Sequence, residues 1–456
     1  MFVIPAIAAL LTFVYLRPQE VVDVLRPLAL SGMVGAVAYA YALDVRLGKV
    51  RPKGSPILYI LVALLVLCIF TILIRVPDRL AEQLGVLGAT TIVFLAVSEG
   101  VQSFRALEAA ASVIVALTIV VAFVGVLQGL QPQQCYLRSG NFVGTAQGDT
   151  TDGRPCTEIA QCEEGGVVGG EYLCEHPGLF DTHSIGGRVR FRGLLEDPNE
   201  LCLALAMGAP LALGLFERKR SWWRRLLMLA TFAVVLPCVV MTRSRSGQIA
   251  MMAALGAYFV RRFGKRGLIV AFVIAVPLLL FGGRSGAEAD SSSDERLECW
   301  SEALAMWREY PLLGVGEGQF IEHHYLTAHN AYLLALAELG PMGLLLFSGA
   351  IYASLKITIR AQLDLAARPE AAAARAWASA LTASLVGLAV SAFFLSVTYH
   401  TVLWLFLALV AAFYAAMRRH DPTWRVTFGL RDALFVAGVD LGVVGLLSVY
   451  IRLKGV

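Results

Sequence analysis

The chain has 456 residues, of which 57% are hydrophobic and 16% charged, with a mean hydropathy of +0.68. A soluble domain of this length cannot hide so much apolar surface, so the composition excludes a soluble globular protein and points to a multi-spanning membrane protein. The net charge of +4 is small and gives no sign of a nucleic-acid partner.

The opening residues MFVIP carry no positive charge and run directly into apolar sequence, so no cleavable signal peptide is expected. Apolar runs fall near 2–16, 26–43, 56–74, 81–97, 107–129, 199–216, 226–242, 247–260, 267–282, 331–355, 377–397 and 399–416. They predict an all-α polytopic membrane protein of about twelve transmembrane helices, forming one integral membrane domain over 1–456. A thirteenth candidate, 433–451, carries Asp440 and either spans or lies at the interface.

Basic loops at 44–55, 217–225, 261–266, 356–375 and 417–431 all fall on one side when the helices are counted, which makes that side cytoplasmic. Lys49, Lys53, Lys219, Lys265 and Lys356 sit there. The opposite side has arginines, no securely assigned lysine, and the two largest loops, 130–198 and 283–330. His176, His183, His323, His324, His329 and His400 lie on that side or at its edge.

Cys135, Cys156, Cys162 and Cys174 all lie in the first large loop and read as two disulfides in an oxidising compartment, with three pairings open. Zinc is the competing reading, but the spacing lacks a CxxC pair. Cys68, Cys202 and Cys238 fall within spans and read as small hydrophobes. Cys299 has no evident activating base near it in sequence.

The first loop ends in GGRVRFRGLLEDPNE, where Arg188, Arg190 and Arg192 precede a helix start at Asp197-Pro198. Next, MTRSRSG places Arg243 and Arg245 between two apolar helices, where a charge is costly unless paired, hydrated or functional. Residues 294–320, DERLECWSEALAMWREYPLLGVGEGQF, begin with Arg296 and an amphipathic helix. Leu297, Trp300, Leu304 and Trp307 recur at three- and four-residue steps, so the helix is expected to lie on the membrane. Tyr310-Pro311 stops it. GVGEGQF is not a phosphate loop, because it follows no strand and lacks the lysine-serine/threonine ending. Its glycines predict a tight turn. His329-Asn330 then stands at the mouth of the next apolar helix, with Glu338 two turns on. Imidazole can accept a proton near neutral pH, which makes His329 the candidate base. His323 and His324 are adjacent, a poor spacing for two ligands from one helix face, and no DxD-type pair is present. No metal site is expected.

Four stretches in this order resemble the O-antigen ligase / O-antigen polymerase superfamily of bacterial envelope glycosyltransferases. They are RFRGLLEDPNE (190–200), TRSRSG (242–247), residues 294–320, and TAHNAYLLALAELGPMGLLLF (327–347). The resemblance implies an inner-membrane enzyme with a periplasmic active face and no cofactor. Its donor would be a glycan on undecaprenyl diphosphate. The ligases pass that glycan to lipid A-core, and the polymerases pass it to a second lipid-linked glycan. Arg245 and Arg296 match the family arginines and would hold the diphosphate, with Arg190 as a third match. His329 matches the family histidine and would activate the acceptor hydroxyl. Arg192, Arg243, Asn330 and Glu338 are further candidates for substrate binding, and a ligase-type reading is favoured. The partners implied are the two glycan substrates, membrane lipids and envelope polysaccharide assembly proteins. A lipid-linked glycan transporter is the reading from another class, but it is expected to place charges near the bilayer midplane rather than at one face. A scaffold for envelope assembly would not call for His329 together with Arg245 and Arg296.

Overall fold

The computed structural model describes residues 1–25, 30–138, 149–167, 169–281 and 287–455. The α-helices among them are α1 (Val3–Leu16), α2 (Leu30–Arg46), α3 (Pro56–Arg75), α4 (Leu80–Gly100), α5 (Phe104–Leu130), α6 (Ile159–Glu163), α7 (Pro198–Arg218), α8 (Trp222–Met241), α9 (Arg245–Phe263), α10 (Lys265–Phe281), α11 (Ala287–Glu309), α12 (Phe320–His323), α13 (Ala331–Asp364), α14 (Ala372–Ala392), α15 (Thr401–His420) and α16 (Leu430–Lys454). Local chemistry sets several starts. Ser55, Asp197 and Ser221 each accept a backbone N–H at a helix entrance, and Pro56 and Pro198 occupy first turns.

The chain is an all-α polytopic membrane protein. Nine segments among the described residues are long and apolar enough to cross a bilayer: α3, α4 with its leading turn, α5, α7, α8, α13, α14, α15 and α16. The expected thirteenth span is one of them. The expected runs at 2–16, 26–43, 247–260 and 267–282 fall outside that set, the first forming the 14-residue α1. There α2 and α10 have 17 residues each, short of the roughly 20 a crossing needs, while α9 carries Arg245 at its start and Arg261 and Arg262 in its last turn. Residues 26–29 and 282–286, where the sequence places the edges of two runs and the start of the second loop, lie outside the described residues, as does Val456.

Contacts divide the chain into two compact units. The first comprises Met1–Ile7, Val34–Ala110 and Ser285–Val456. Its core helix is α15, buried continuously from Val402 to Met417, as expected of a helix apolar on every face. It packs on α4, where Phe94 meets Trp404 edge to face at 6.2 Å. The other centre of this unit is α13, which packs on α3, α11, α14 and α16. The stripe on α11 is buried here: Leu297, Trp300 and Leu304 pack with Leu333 and Leu336 of α13 and Val444 and Leu447 of α16. The expected membrane-surface helix therefore turns its apolar face onto protein. It ends at Glu309, where Tyr310-Pro311 predicted its stop.

One backbone event shapes this unit. Helix α13 is broken at Gly340, whose φ of 69° and ψ of −169° are open only to glycine. The Ala337 carbonyl has no helical partner because Pro341, four residues on, carries no N–H, and the Glu338 carbonyl lies at the break. They accept instead from the backbone N–H groups of Val315 and Gly316, at 2.9 and 3.0 Å. The turn approaches so closely that a Cβ on Gly314 would collide with the Ala337 carbonyl oxygen.

The second unit comprises Ala8–Met33 and Ala111–Arg284. Its core helix is α7, buried from Leu201 to Leu215 and packed on α8 and α9. Its large loop folds as a small antiparallel sheet ordered β2-β1-β3, with β1 Gln134–Leu137, β2 Thr150–Pro155 and β3 Tyr172–Glu175. The four cysteines pair as Cys135–Cys162 and Cys156–Cys174.

Two outcomes follow. Peptide mapping without reductant should recover 135 linked to 162 and 156 linked to 174; either other pairing refutes this connectivity. Gly340→Ala should destabilise the detergent-solubilised protein by about 1–3 kcal/mol, because its Cβ would meet the Leu312 carbonyl oxygen. Gly438→Ala, with open space around its Cβ, should not lower the melting temperature.

Candidate functional site

In the first unit the entrance of α13 is built by side chains around His329. Asn330 is the N-cap: its Oδ1 accepts from the N–H groups of Tyr332 and Leu333 at 3.0 and 3.1 Å. This satisfies donors a helix start otherwise leaves open. Asn330 is fully buried, and its Nδ2 has no hydrogen-bond partner. His329 sits one residue earlier with φ +48°, a conformation an L-residue rarely adopts. Its N–H donates to Ser396 Oγ at 2.8 Å, and Ser396 donates to Thr327 at 2.8 Å. Thr398 donates to the Ala331 carbonyl, and the Trp404 indole N–H to the Thr398 carbonyl. The 396–398 segment thus clamps the helix mouth and presents a partly exposed His329.

Arg296, on α11, lies over the Phe394 ring with 5.9 Å to its centroid. Phe394 and Asn330 both line an apolar groove of about 500 Å³ between α13, α14 and α16. Its walls include Leu333, Phe393, Val436 and Val443. Asn330 and the ring under Arg296 therefore open on one groove. Glu338 points the other way along α13: its Oε1 accepts from the Phe320 N–H at 3.0 Å, so it braces the glycine turn. In that turn Glu317 is buried, and its carboxyl is pushed up to about 8, first by burial and then by the charge of Glu338.

Sequence reading missed two cations beside the turn. Arg75, at the end of α3, stacks over Tyr310 at 4.6 Å, and Arg79 pairs with Glu322 at 2.9 Å. Their signal was present as two arginines straddling Pro77, but no motif marks them. His323 and His324 bond to backbone carbonyls, of Gln319 and Leu326 respectively.

In the second unit the two arginine stretches meet. Asn199, on α7, accepts from Ser244 at 2.6 Å and from Arg188 at 3.2 Å. Arg188 also donates to the Thr242 carbonyl. Ser244 caps α9, accepting from the Gly247 N–H. The turn that results holds Arg243 at φ +49° and leaves both Arg243 and Arg245 exposed. Arg245 is the first residue of α9, so its charge adds to the positive end of the helix dipole.

The three arginines of RVRFR have different fates. Arg190 is buried; its Nε donates to the His183 carbonyl at 2.9 Å, and Glu196 lies 4.0 Å from its guanidinium. Burial lowers its pKa, and Glu196 works against that. His183 is lowered too, by burial and then by Arg190, and meets Asp149 at 3.1 Å. Arg190 is thus placed as an internal strut. Arg192 instead lines a polar cavity of about 690 Å³ with Arg17, Glu20, Asp149, Asp181 and Glu196. Arg17 and Asp181 are both held at positive φ there.

Residues 230–348 match the protein family described as O-Antigen ligase. That match supports the resemblance to the O-antigen ligase / polymerase superfamily and, with it, a ligase-like glycosyl transfer. The O-antigen ligase match runs from inside α8 to inside α13, about a quarter of the chain. It takes in Arg243, Arg245, Arg296, His329, Asn330 and Glu338, and leaves out Arg190, Arg192 and the four paired cysteines. No curated protein matches the chain.

Glu317 gives a pH prediction. An acid whose pKa is higher folded than unfolded binds protons on folding, so between the ordinary 4.5 and about 8 its contribution is lost as pH rises. Thermal unfolding followed from about pH 5 to about pH 9 should show stability falling along that range. Glu317→Gln should flatten the slope and melt higher than wild type at the alkaline end; an unchanged slope assigns the effect to another group.

Proposed function

We propose that this protein transfers a glycan from a polyprenyl diphosphate to a sugar hydroxyl of lipid A-core, at the periplasmic face of the inner membrane. The observation that carries the reading is the apolar groove whose lining includes Asn330 and the Phe394 ring beneath Arg296. Apolar walls with Arg296 and the Asn330 Nδ2 at one end suit an amphiphile with an anionic head, while Asp440, the carboxylate on the lining, stands on the α16 wall. Part of an isoprenoid tail fits the apolar walls, and the diphosphate fits the Arg296 end.

In this reading Arg296 binds the diphosphate, and the resemblance to the family assigns Arg245 to the same group. Their guanidinium groups favour the charge that grows as the bond from the anomeric carbon to the diphosphate oxygen breaks. His329 takes the proton of the acceptor hydroxyl as its oxygen attacks the anomeric carbon. A single displacement of this kind inverts the configuration there. Ser396 and the Asn330 cap hold the imidazole at the helix mouth, which removes part of the orientational cost of the reaction. The polar cavity lined by Arg17, Arg192 and four carboxylates supports a place for sugar hydroxyls, which both donate and accept.

The test is transfer by purified protein from an undecaprenyl-diphosphate glycan, with lipid A-core or more donor as acceptor, in the presence of chelator. Product on lipid A-core is expected. His329→Ala should lower turnover by about 10²–10⁴-fold while donor binding persists. Arg296→Ala and Arg245→Ala should weaken donor binding as well. Longer lipid-linked chains with no product on lipid A-core would assign a polymerase. Folded protein that binds donor yet transfers to neither acceptor would remove the enzyme reading.

A further inference from the structure

The first unit contains a further cavity, of about 700 Å³, whose lining shares α13 but no residue with the groove beside His329. Its charged lining is Lys53, before α3; Arg418, in the last turn of α15; and Arg425, in the segment leading to α16. Among the described residues no aspartate or glutamate lines it. The opposite wall is apolar, with Ile60 and Ala63 of α3 and Leu346 of α13.

The positive charge here is offset only in part, by Glu99 beside Lys53. Arg418 has its guanidinium 6.0 Å over the Tyr414 ring, and its Nε is sequestered from solvent without a hydrogen-bond partner. The nearby carboxylate, Glu99, accepts the backbone N–H of Lys53 at 2.8 Å. Lys53 is held below the ordinary lysine range, first by burial and then by the charges of Arg418 and Arg419, against a smaller opposing effect of Glu99. Cations gathered in a cavity at mutual cost are what an absent anion would relieve. The polar cavity of the second unit differs, since its two arginines face four carboxylates.

We propose that this cavity binds the phosphate headgroup of an anionic phospholipid, with Lys53, Arg418 and Arg425 on the phosphate and an acyl chain along Ile60, Ala63 and Leu346. Basic pockets between membrane helices take such headgroups, each Lys or Arg near the anion adding about 1 kcal/mol, which is about fivefold in affinity. The apolar wall distinguishes a lipid from a free anion, because inorganic phosphate would leave that wall facing water. The loop 44–55 and the loop 417–431, which supply the cations, are on the side that lysine and arginine distribution assigns to the cytoplasm.

The experiment uses the full chain in neutral detergent. It compares phosphatidylglycerol, phosphatidylcholine of the same acyl chains, and inorganic phosphate. Retained lipid is counted by native mass spectrometry, and melting temperature is read in parallel. Phosphatidylglycerol alone should be retained and should raise the melting temperature. Arg425→Gln, at an exposed position, should weaken retention about fivefold, Arg418→Gln at least as much, and Arg452→Gln, outside the cavity, not at all. Equal stabilisation by phosphatidylcholine, equal stabilisation by phosphate alone, or wild-type retention by the folded Arg425→Gln variant each overturns the proposal.

Discussion

The entrance and the interior of α13 depend on one constraint, that no backbone carbonyl can be left unpaired where water is scarce. Gly340 and Pro341 together break the helix and release the carbonyls of Ala337 and Glu338. A break of this kind persists only where another segment brings donors, and the 314–318 turn brings those of Val315 and Gly316. That pairing in turn requires a turn with no side chain at Gly314. The glycine-rich sequence is therefore explained by helix repair. The short helical piece from Ala331 to Leu339 is then tied at its far end by backbone bonds and at its near end by Asn330. His329 stands at the tied end of a rigid element.

The two arginine- and histidine-bearing neighbourhoods, taken each by itself, solve the same problem. His329 and Arg243 are non-glycine residues at positive φ, each just before or near the first turn of a helix. Such conformations cost of order 1–3 kcal/mol and survive only where the surroundings over-determine them. For His329 the surroundings are Ser396, Thr327 and the Asn330 cap. For Arg243 they are Thr242, Ser244 and the Asn199 side chain, with Arg188 closing the set. In both places polar side chains from a second segment hold a turn whose own preference is different, and the side chain of interest is left partly or fully exposed.

Much of this was legible in the sequence because it rests on local chemistry. The Asp197-Pro198 start and the stop at Tyr310-Pro311 need only neighbouring residues, and each is where the sequence placed it. The cysteine count foretold two bridges. What could not be read is which of two equivalent surroundings a pattern meets. The Leu297, Trp300 and Leu304 stripe suits a lipid surface and the side of α16 equally well, and only the tertiary packing selects the second. The RVRFR arginines are identical by type and spacing, yet Arg190 is enclosed, Arg188 is tied to Thr242 and Asn199, and Arg192 faces a cavity with Glu20. The sheet was hidden because its strands are short, and β2, TTDGRP, is polar and largely exposed, without the alternation that marks a half-buried strand.

The cavities divide by charge in a way that packing alone does not explain. A void left by imperfect packing should be lined by whatever is nearby, and in a chain this apolar that means aliphatic side chains. The groove below Phe394 is nearly of that kind, but its lining also holds Asp440 and Asn330, whose Nδ2 finds no partner inside the protein. The cavity at Arg192 gathers both signs of charge, with carboxylates in excess, and so disfavours a phosphorylated occupant while leaving donors and acceptors for a neutral polyhydroxyl one. The cavity at Arg418 gathers one sign only. Three cations with no carboxylate on the described lining, set against an apolar wall, are themselves an argument for an occupant. A single anionic amphiphile meets both of its walls, and neither a free anion nor a neutral lipid does.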